Sequence, residues 1–287
     1  MPVSADLPWL KYNFTAIVPI IKVSLDGRPS LIGTGFFITS RGLLVTAKHV
    51  ITDNINDIGN DAGGIGALLL DHQNFGQYLP LAWTSWHSVA DIAISDTRPR
   101  VRADETQIET AHLRLSVDEP PVGSMLTSCF FCHADLAVSD KDLDLPRGER
   151  TIRTFTLEHS FHAAGPETPE TSIGPITSQY GSQDRQGTLR CHYRPIRDTV
   201  MLPFPVFESD LAIPGSGSGG PVFNAAGLVV GINTTGIPGS DIAYHTYISS
   251  ALKLGVRMWV NGEVEPAVIT LAEASRIGAL AHWKLKA

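Results

Sequence analysis

The chain has 287 residues, of which 43% are apolar, enough to bury one large hydrophobic core or two small ones. Its formal net charge is −7 and its 22 basic residues are scattered, which argues against nucleic acid as a partner because phosphate binding needs clustered Lys and Arg. Only 18% of the residues are charged, and 26 Gly with 19 Pro are typical of a turn-rich protein with short strands.

The first apolar run, Phe14–Val23, predicts a strand because it is too short to span a bilayer and contains Pro19. The N-terminus has no basic start followed by an apolar stretch and a cleavage site. We therefore expect no signal peptide, no membrane association and a cytoplasmic location. Three cysteines, an odd number, fit a reducing compartment better than a disulfide framework.

Short β-prone runs separated by turn residues continue to about residue 260. Ser30–Thr39 and Leu43–Thr46 flank a short turn that contains Gly42, and together they predict a hairpin. The spacing of these runs favours an all-β barrel or sandwich over alternating strands and helices. Further predicted strands are Ala67–Leu70, Ala90–Ser95, Ser124–Cys132, Thr151–Leu157, Thr188–Tyr193, Pro221–Phe223, Leu228–Thr234 and Ala243–Ile248.

Three other segments suggest how the chain is organised. Thr97–Glu119 is polar and predicts a connection between two halves, while Ala134–Thr171 is acidic and loop-rich. Apolar residues at helical spacing within Thr270–Lys286 predict an amphipathic C-terminal helix. We therefore divide the chain into units of residues 1–110, 111–265 and 266–287.

The first motif that carries chemistry ends in His49. It combines Gly33–Thr39 with Leu44–Val50, so that a histidine follows a predicted strand and small Ala47 leaves room beside it. A histidine held at a rigid strand end can contact both a nucleophile and an orienting acid. An isolated histidine would more often be a surface residue, and the whole pattern favours a general base.

Asp91 lies 42 positions after His49 (91 − 49), between the apolar residues Ala90 and Ile92. A carboxylate is costly to bury unless it is paired or hydrogen-bonded. Its predicted partner is the inward-facing nitrogen of His49, where it fixes the tautomer of the imidazole. The alternative is an aspartate that caps a turn.

The third motif is the run Gly215–Pro221, which contains Ser218. Gly219 and Gly220 carry no Cβ, so the backbone there can turn tightly and approach a substrate. The N–H groups of Ser218 and Ser216 are candidate donors for an oxyanion. The alternative, a flexible Gly-Ser loop, does not explain the strand-like residues that follow.

With these motifs in the order His, Asp, Ser, the sequence resembles the trypsin/chymotrypsin-fold serine peptidases, and is similar to their bacterial Deg (high-temperature-requirement) and glutamyl-endopeptidase branches. The resemblance covers about residues 14–255. It implies an all-β fold of two antiparallel six-stranded β-barrels with the site in the cleft between them. It also implies an endopeptidase that acts on polypeptides without a metal or organic cofactor. Its implied residues are His49 as base, Asp91 as orienting acid, Ser218 as nucleophile, and Ser216, Gly217 and Ser218 as the oxyanion hole.

The chain departs from the family pattern directly before the nucleophile. The family usually has Gly two residues before the serine and Asp or Asn next to it, whereas this chain has Ser216 and Gly217. A serine enters the left-handed backbone region less readily than glycine. Our hypothesis is that the resting oxyanion hole is collapsed until a substrate or a regulatory protein partner reshapes it. The alternative function is therefore a catalytically impaired or partner-activated peptide-binding module.

The resemblance also implies which residues contact the substrate. Thr234–Gly236 is expected to pair with an extended peptide as an added strand, and the hydroxyl of Thr234 to donate to Asp91. Ala212 stands where trypsin-like members carry Asp, which favours a small or medium apolar side chain before the cut. His245 is either a contact for an acidic or amide side chain or a plain strand residue. The expected substrate-binding residues are Ala212, Ile213, Thr234, Thr235, Gly236 and His245.

Cysteine and histidine pairs raise the separate possibility of a zinc site. Structural zinc prefers Cys-x-x-Cys pairs, and the candidates are Cys129, Cys132, His133, Cys191 and His192. Cys129 and Cys132 lie on a predicted strand, where residues i and i+3 point to opposite faces. We therefore expect buried free thiols and no metal.

Overall fold

The computed structural model describes residues 14–23, 29–55, 64–70, 76–97, 110–133, 153–159, 176–258 and 267–277. The first barrel is built from six antiparallel strands: Ile17–Val23 (β1), Pro29–Phe37 (β2), Leu43–Thr46 (β3), Ile65–Leu70 (β4), Gly76–Trp86 (β5) and Ala93–Thr97 (β6). They close in the order β1-β2-β3-β6-β5-β4. The strands β1 and β3 are apolar and buried along almost their whole length.

The second barrel follows: Met125–His133 (β7), Arg153–His159 (β8), Ile176–Tyr193 (β9), Val206–Ser209 (β10), Pro221–Phe223 (β11), Val229–Gly236 (β12) and Ala243–Tyr247 (β13). Six of these strands close a ring in the order β10-β13-β12-β11-β7-β9, because the end of β9 also pairs with β10. The beginning of β9 pairs with β8, which adds a seventh strand at the edge. The predicted all-β fold of two six-stranded antiparallel barrels is confirmed.

The chain between the barrels is hydrogen-bonded to both. The N–H of Leu113 donates to the carbonyl of Phe37 at 2.8 Å, and the N–H of Ser116 donates to the carbonyl of Val229 at 2.8 Å. A large hydrophobic cluster contains buried residues of both barrels, among them Phe36 from β2 and Phe131 from β7, and a smaller cluster lies within the second barrel. These contacts fix the position of the two barrels relative to each other, and so position the site at their junction.

The C-terminal segment contains a pair of strands as well as a helix. A 3₁₀ helix, Ile248–Lys253, leads to an antiparallel pair of strands, Gly255–Met258 (β14) and Ala267–Thr270 (β15). The helix begins only at Leu271 and is described to Arg276, and the hydroxyl of Thr270 caps it by accepting the N–H of Glu273 at 3.1 Å. The rest of the predicted tail helix, from residue 278, lies outside the described residues. None of the helices in the described ranges has the length and apolar character needed to cross a membrane.

Candidate active site

The first barrel brings His49 and Asp91 together through the pairing of β3 with β6. These strands are antiparallel, with Thr46 opposite Ala93. Residues that follow Thr46 and residues that precede Ala93 therefore leave the barrel at the same end. His49 lies there at the start of the helix Lys48–Ile55 (α1), and Asp91 ends the turn between β5 and β6.

Asp91 contacts His49 at two points. Its Oδ2 lies 2.8 Å from Nδ1 of the imidazole, and its Oδ1 accepts the backbone N–H of His49 at 3.0 Å. The Asp91 side chain is 11% exposed and that of His49 is 38% exposed. A carboxylate at Nδ1 favours the tautomer with the proton on Nδ1, which leaves the lone pair of Nε2 for proton transfer.

The protonation of His49 follows from opposing effects. Burial disfavours the imidazolium, but the hydrogen bond and the charge of Asp91, together with the charge of Asp53, outweigh it, and the pKa of His49 is raised above 6.5. The neutral base is therefore the main form only above that raised pKa.

Ser218 lies at the junction of the barrels, between a 3₁₀ turn at Gly215–Gly217 and β11. Its carbonyl accepts the backbone N–H of Thr34, on β2, at 2.8 Å. Gly219 has a φ of +83°, and a Cβ at this position would lie 2.2 Å from the carbonyl oxygen of Thr34 and 2.8 Å from the backbone nitrogen of Ala47. We call residues 215–220, which include Ser218, the serine turn. This turn can approach the strand end that leads to His49 only because residue 219 is glycine.

The hydroxyl of Ser218 is hydrogen-bonded to a residue of the second barrel. It donates to the carbonyl of Thr234 at 3.4 Å, and no hydrogen bond joins it to His49 within the part of the chain that the structure describes. The backbone is nevertheless close to α1. Both elements border Gly33. A Cβ placed on Gly33 would lie 3.1 Å from the carbonyl oxygen of Ser218 and 2.7 Å from a methyl carbon of Val50.

One of the two predicted oxyanion donors is already hydrogen-bonded within the serine turn. The N–H of Ser218 donates to the carbonyl of Gly215 at 3.3 Å, and the N–H of Gly217 donates to the carbonyl of Pro214 at 2.8 Å. The hydroxyl oxygen of Ser216 is buried without a hydrogen-bond partner among the described residues. The N–H of Ser218 is therefore already engaged within the turn, and the collapsed resting oxyanion hole stays a prediction.

Two buried side chains that the sequence analysis did not single out hold the serine turn in place. The hydroxyl of Thr34 donates to the carbonyl of Ser216 at 3.4 Å and accepts the N–H of Phe131 at 2.9 Å. The amide of Asn233 donates to the carbonyl of Gly217 at 3.1 Å. Thr34 belongs to the motif that precedes His49, and a polar Asn233 within the apolar strand β12 was the available signal for the second contact.

The predicted substrate-binding residues come together in part. The side chain of Ile213 lies 2.8 Å from the Cβ position of Gly217, and its carbonyl oxygen lies 2.4 Å from that of Gly236, so it bridges the serine turn and the end of β12. The carbonyl of Ala212 accepts a hydrogen bond from the guanidinium of Arg185, a buried residue of β9. Thr235 lies beside Gly236, to whose carbonyl its hydroxyl donates at 3.4 Å.

The predicted hydrogen bond from Thr234 to Asp91 is wrong. The Thr234 hydroxyl lies 2.7 Å from that of Thr246, because its side chain faces the neighbouring strand β13. His245 is also buried, within the second barrel. Its Nε2 lies 2.6 Å from the hydroxyl of Ser209, and burial lowers the pKa of His245 to about 3, so the ring is neutral and out of contact with solvent.

The cysteines do not form a cluster in the structure. Cys129 and Cys132 are buried on β7, and the thiol of Cys132 donates to the carbonyl of Gly181 at 3.4 Å. The imidazole of His192 contacts the hydroxyl of Tyr247 and a backbone carbonyl. Among the residues described, no three His, Cys, Asp or Glu side chains are grouped so that they could hold a metal ion.

Comparison with known proteins identifies relatives by sequence family and by fold. The family model described as trypsin-like peptidase domain matches residues 33–232, which include His49, Asp91 and Ser218. The crystal structure of Deg5 is 15% identical, with a TM-score of 0.50, and the match covers 85% of this chain and 89% of that one. The apo protease domain of MamO from Magnetospirillum magneticum is 15% identical, with a TM-score of 0.48 and coverages of 84% and 95%. No match was found among curated proteins.

Proposed function

Because this chain belongs to the family of trypsin-like peptidase domains, we propose that it is a serine endopeptidase with His49, Asp91 and Ser218 as catalytic residues. The observation that carries the proposal is the two-point contact between Asp91 and His49. A contact of this kind fixes both the tautomer and the orientation of the ring, which a general base for a serine nucleophile requires.

Hydrolysis proceeds in two balanced halves in this proposal. The Ser218 oxygen attacks the peptide carbonyl carbon while Nε2 of His49 takes the hydroxyl proton, and Asp91 stabilises the resulting imidazolium. The C–N bond then breaks as His49 returns the proton to the departing amine, which leaves an acyl ester on Ser218. Water attacks this ester with His49 again as the base, and the carboxylic acid product leaves with the Ser218 hydroxyl restored.

Because the N–H of Ser218 is hydrogen-bonded within the serine turn, we infer that a substrate or a regulatory protein partner activates the enzyme. The Gly215 carbonyl must leave the N–H of Ser218 before that N–H can bind an oxyanion. A rotation of the Gly215–Ser216 peptide achieves this, and it also turns the N–H of Ser216 inward. Gly215 is exposed, and no atom of the described ranges lies within 4 Å of its Cβ position, so the peptide has room to rotate. One missing oxyanion donor lowers turnover by about 10²–10³, so the resting turn would keep proteolysis low.

The substrates in this proposal are polypeptides with a small or medium apolar side chain before the cut. The side chain of Ile213 lies against Gly217 in the serine turn and offers an apolar contact. The nearby carboxylate of Asp210 accepts the backbone N–H of Thr188, so it is engaged in a hydrogen bond within the second barrel. An extended peptide pairs with the half-buried end of β12 at Thr235 and Gly236 through main-chain hydrogen bonds.

A peptide-binding module without turnover is the alternative, and the engagement of both the hydroxyl and the N–H of Ser218 favours it. A fluorophosphonate probe separates the two functions because it reacts only with an activated serine. We expect one probe per wild-type chain, located on Ser218 by peptide mass spectrometry, and none on Ser218→Ala or His49→Ala. Ser30→Ala, which changes an exposed serine on β2, is the control and should label like the wild type.

Addition of an unfolded apolar polypeptide tests the activation step in the same assay. Faster labelling at low polypeptide concentration supports a turn that opens on binding. A wild-type protein that stays unlabelled with and without polypeptide supports the module instead.

A further inference from the structure

A histidine outside the proposed triad organises the turn that carries Asp91. This turn, His87–Asp91, connects β5 to β6. Nδ1 of His87 accepts two backbone N–H groups, from Val89 at 3.2 Å and from Ala90 at 2.9 Å. The backbone N–H of His87 also donates to the carbonyl of Ile92 at 3.0 Å, which closes the turn at its base. A single imidazole nitrogen therefore binds the two residues immediately before Asp91.

The surroundings of His87 keep that nitrogen available as an acceptor. Only a neutral imidazole has an unprotonated nitrogen, so Nδ1 can accept these bonds only when the remaining proton is on Nε2. Burial, followed by the nearby charges of Lys253 and Lys48, lowers the pKa of His87 below 6.5. Lys48 also donates to the carbonyl of Ser88, within the turn, at 3.3 Å. Its charge is thereby held next to the imidazole.

The outer part of the turn has few other anchors. Val89 is 53% exposed and Ser88 is exposed, whereas Ala90 and Ile92 on either side of the carboxylate are buried. The inner residues fix the direction of the chain through the core. The N–H groups of Val89 and Ala90 set the rotation of the peptide that leads into Asp91, and His87 is the side chain that binds them.

We propose that His87 is a positioning residue of the active site, which holds the turn so that both carboxylate oxygens of Asp91 meet His49. This inference rests on the proposed function for its effect on hydrolysis, but its effect on the imidazole of His49 does not require hydrolysis. A loosened turn moves the carboxylate from Nδ1 of His49, weakens their hydrogen bond and removes the support of the imidazolium. A displacement of about 1 Å at a catalytic group can cost about 10²-fold in rate.

The test compares His87→Ala with His87→Asn. The alanine removes the acceptor, whereas the side-chain oxygen of asparagine can accept the same N–H groups two residues on, as in an Asx turn. In His87→Ala we expect the pKa of His49, followed by NMR of histidine-labelled protein without substrate, to fall toward 6.5. We also expect kcat to fall by about tenfold to 10²-fold with KM unchanged. His87→Asn should rescue both quantities.

A merely structural role for His87 predicts a different result. It would lower the temperature of unfolding without moving the pKa of His49. The proposal is overturned if His87→Ala retains the pKa of His49, or if His87→Asn, folded as the wild type, loses it equally. If His87→Ala does not fold, His87→Ser replaces it. The serine hydroxyl, on a shorter side chain, is expected to hold the turn less well than asparagine. Equal pKa values of His49 in His87→Ser and His87→Asn would then overturn the proposal. A wild-type protein without hydrolysis would refute the proposed function but leave this pKa comparison intact.

Discussion

Replacement of Asp91 by Asn is expected to lower kcat for peptide hydrolysis about 10⁴-fold. The amide keeps the shape of the carboxylate but can donate a hydrogen bond to Nδ1 of His49, which stabilises the tautomer that lacks a free Nε2. It also removes the charge that supports the imidazolium during proton transfer. The decrease is measured from initial rates of peptide cleavage at saturating substrate.

The same variant should change the pH dependence of the reaction. Hydrolysis by the wild type needs neutral His49, so its rate rises with pH through a pKa raised above 6.5. Without the charge and hydrogen bond of Asp91 that pKa falls, and the acidic limb of the residual activity moves to lower pH. The control is Asp96→Asn, which changes the aspartate that is the fourth residue of β6. It should leave both kcat and the acidic limb of the pH profile unchanged. A limb at the wild-type pH in Asp91→Asn would contradict the assignment of Asp91.

Replacement of Gly219 by Ala is expected to lower both stability and hydrolysis. The φ of +83° costs an L-residue about 1–2 kcal/mol. The new Cβ would also lie 2.2 Å from the Thr34 carbonyl oxygen and 2.8 Å from the Ala47 nitrogen, both backbone atoms. Relief of these contacts moves Ser218 away from the first barrel, and we expect about 10²-fold lower kcat.

Gly123 offers a matched control for the backbone strain alone. Its φ is +86°, but none of the residues that the structure describes lies within 4 Å of its Cβ position. Gly123→Ala should therefore lose only the cost of the strained backbone in denaturant unfolding and keep its hydrolysis rate. Equal losses of stability and rate in the two alanine variants would show that the close approach of Gly219 to β2 has no role in the site.

The strands that the sequence predicts well are those whose residues are apolar over a short run. The hairpin from Ser30–Thr39 and Leu43–Thr46 corresponds to β2 and β3, where most residues are buried. The strand β5 was not predicted, since Pro80 and polar residues interrupt its pattern. Proline is tolerated in a strand only where its missing N–H is not needed for pairing, and this depends on neighbours that are distant in sequence.

The strand β9 was predicted only at its end, from Thr188. Its earlier residues are polar, yet Ser182, Gln183, Asp184 and Arg185 are buried within the second barrel. Burial of such side chains depends on hydrogen-bond partners contributed by other strands, as in the bond from Gln183 to the sulfur of Cys132 at 3.3 Å. Local sequence patterns carry no information about these partners.

In the candidate site, chain order and motif were sufficient to predict that Asp91 faces His49. The partner of Thr234 was predicted wrongly because the strand pairing that places Thr246 beside it joins residues distant in sequence. The role of His87 carries no sequence signal, since it arises from the curvature of a five-residue turn. The replacement of glycine by Ser216 suggested a collapsed oxyanion hole, but not that the N–H of Ser218 donates to the carbonyl of Gly215.

The central claim is that His49 of the first barrel and Ser218 of the second act together in catalysis. The structure of the protein after reaction with a peptidyl fluorophosphonate tests this claim most directly. The account predicts a covalent bond from the Ser218 oxygen to phosphorus, with the imidazole of His49 within hydrogen-bond distance of that oxygen. It also predicts that the Gly215 carbonyl has turned away and that the N–H groups of Ser216 and Ser218 both donate to the phosphoryl oxygen. An adduct on another residue, or Ser218 modified while His49 stays out of reach, would contradict it.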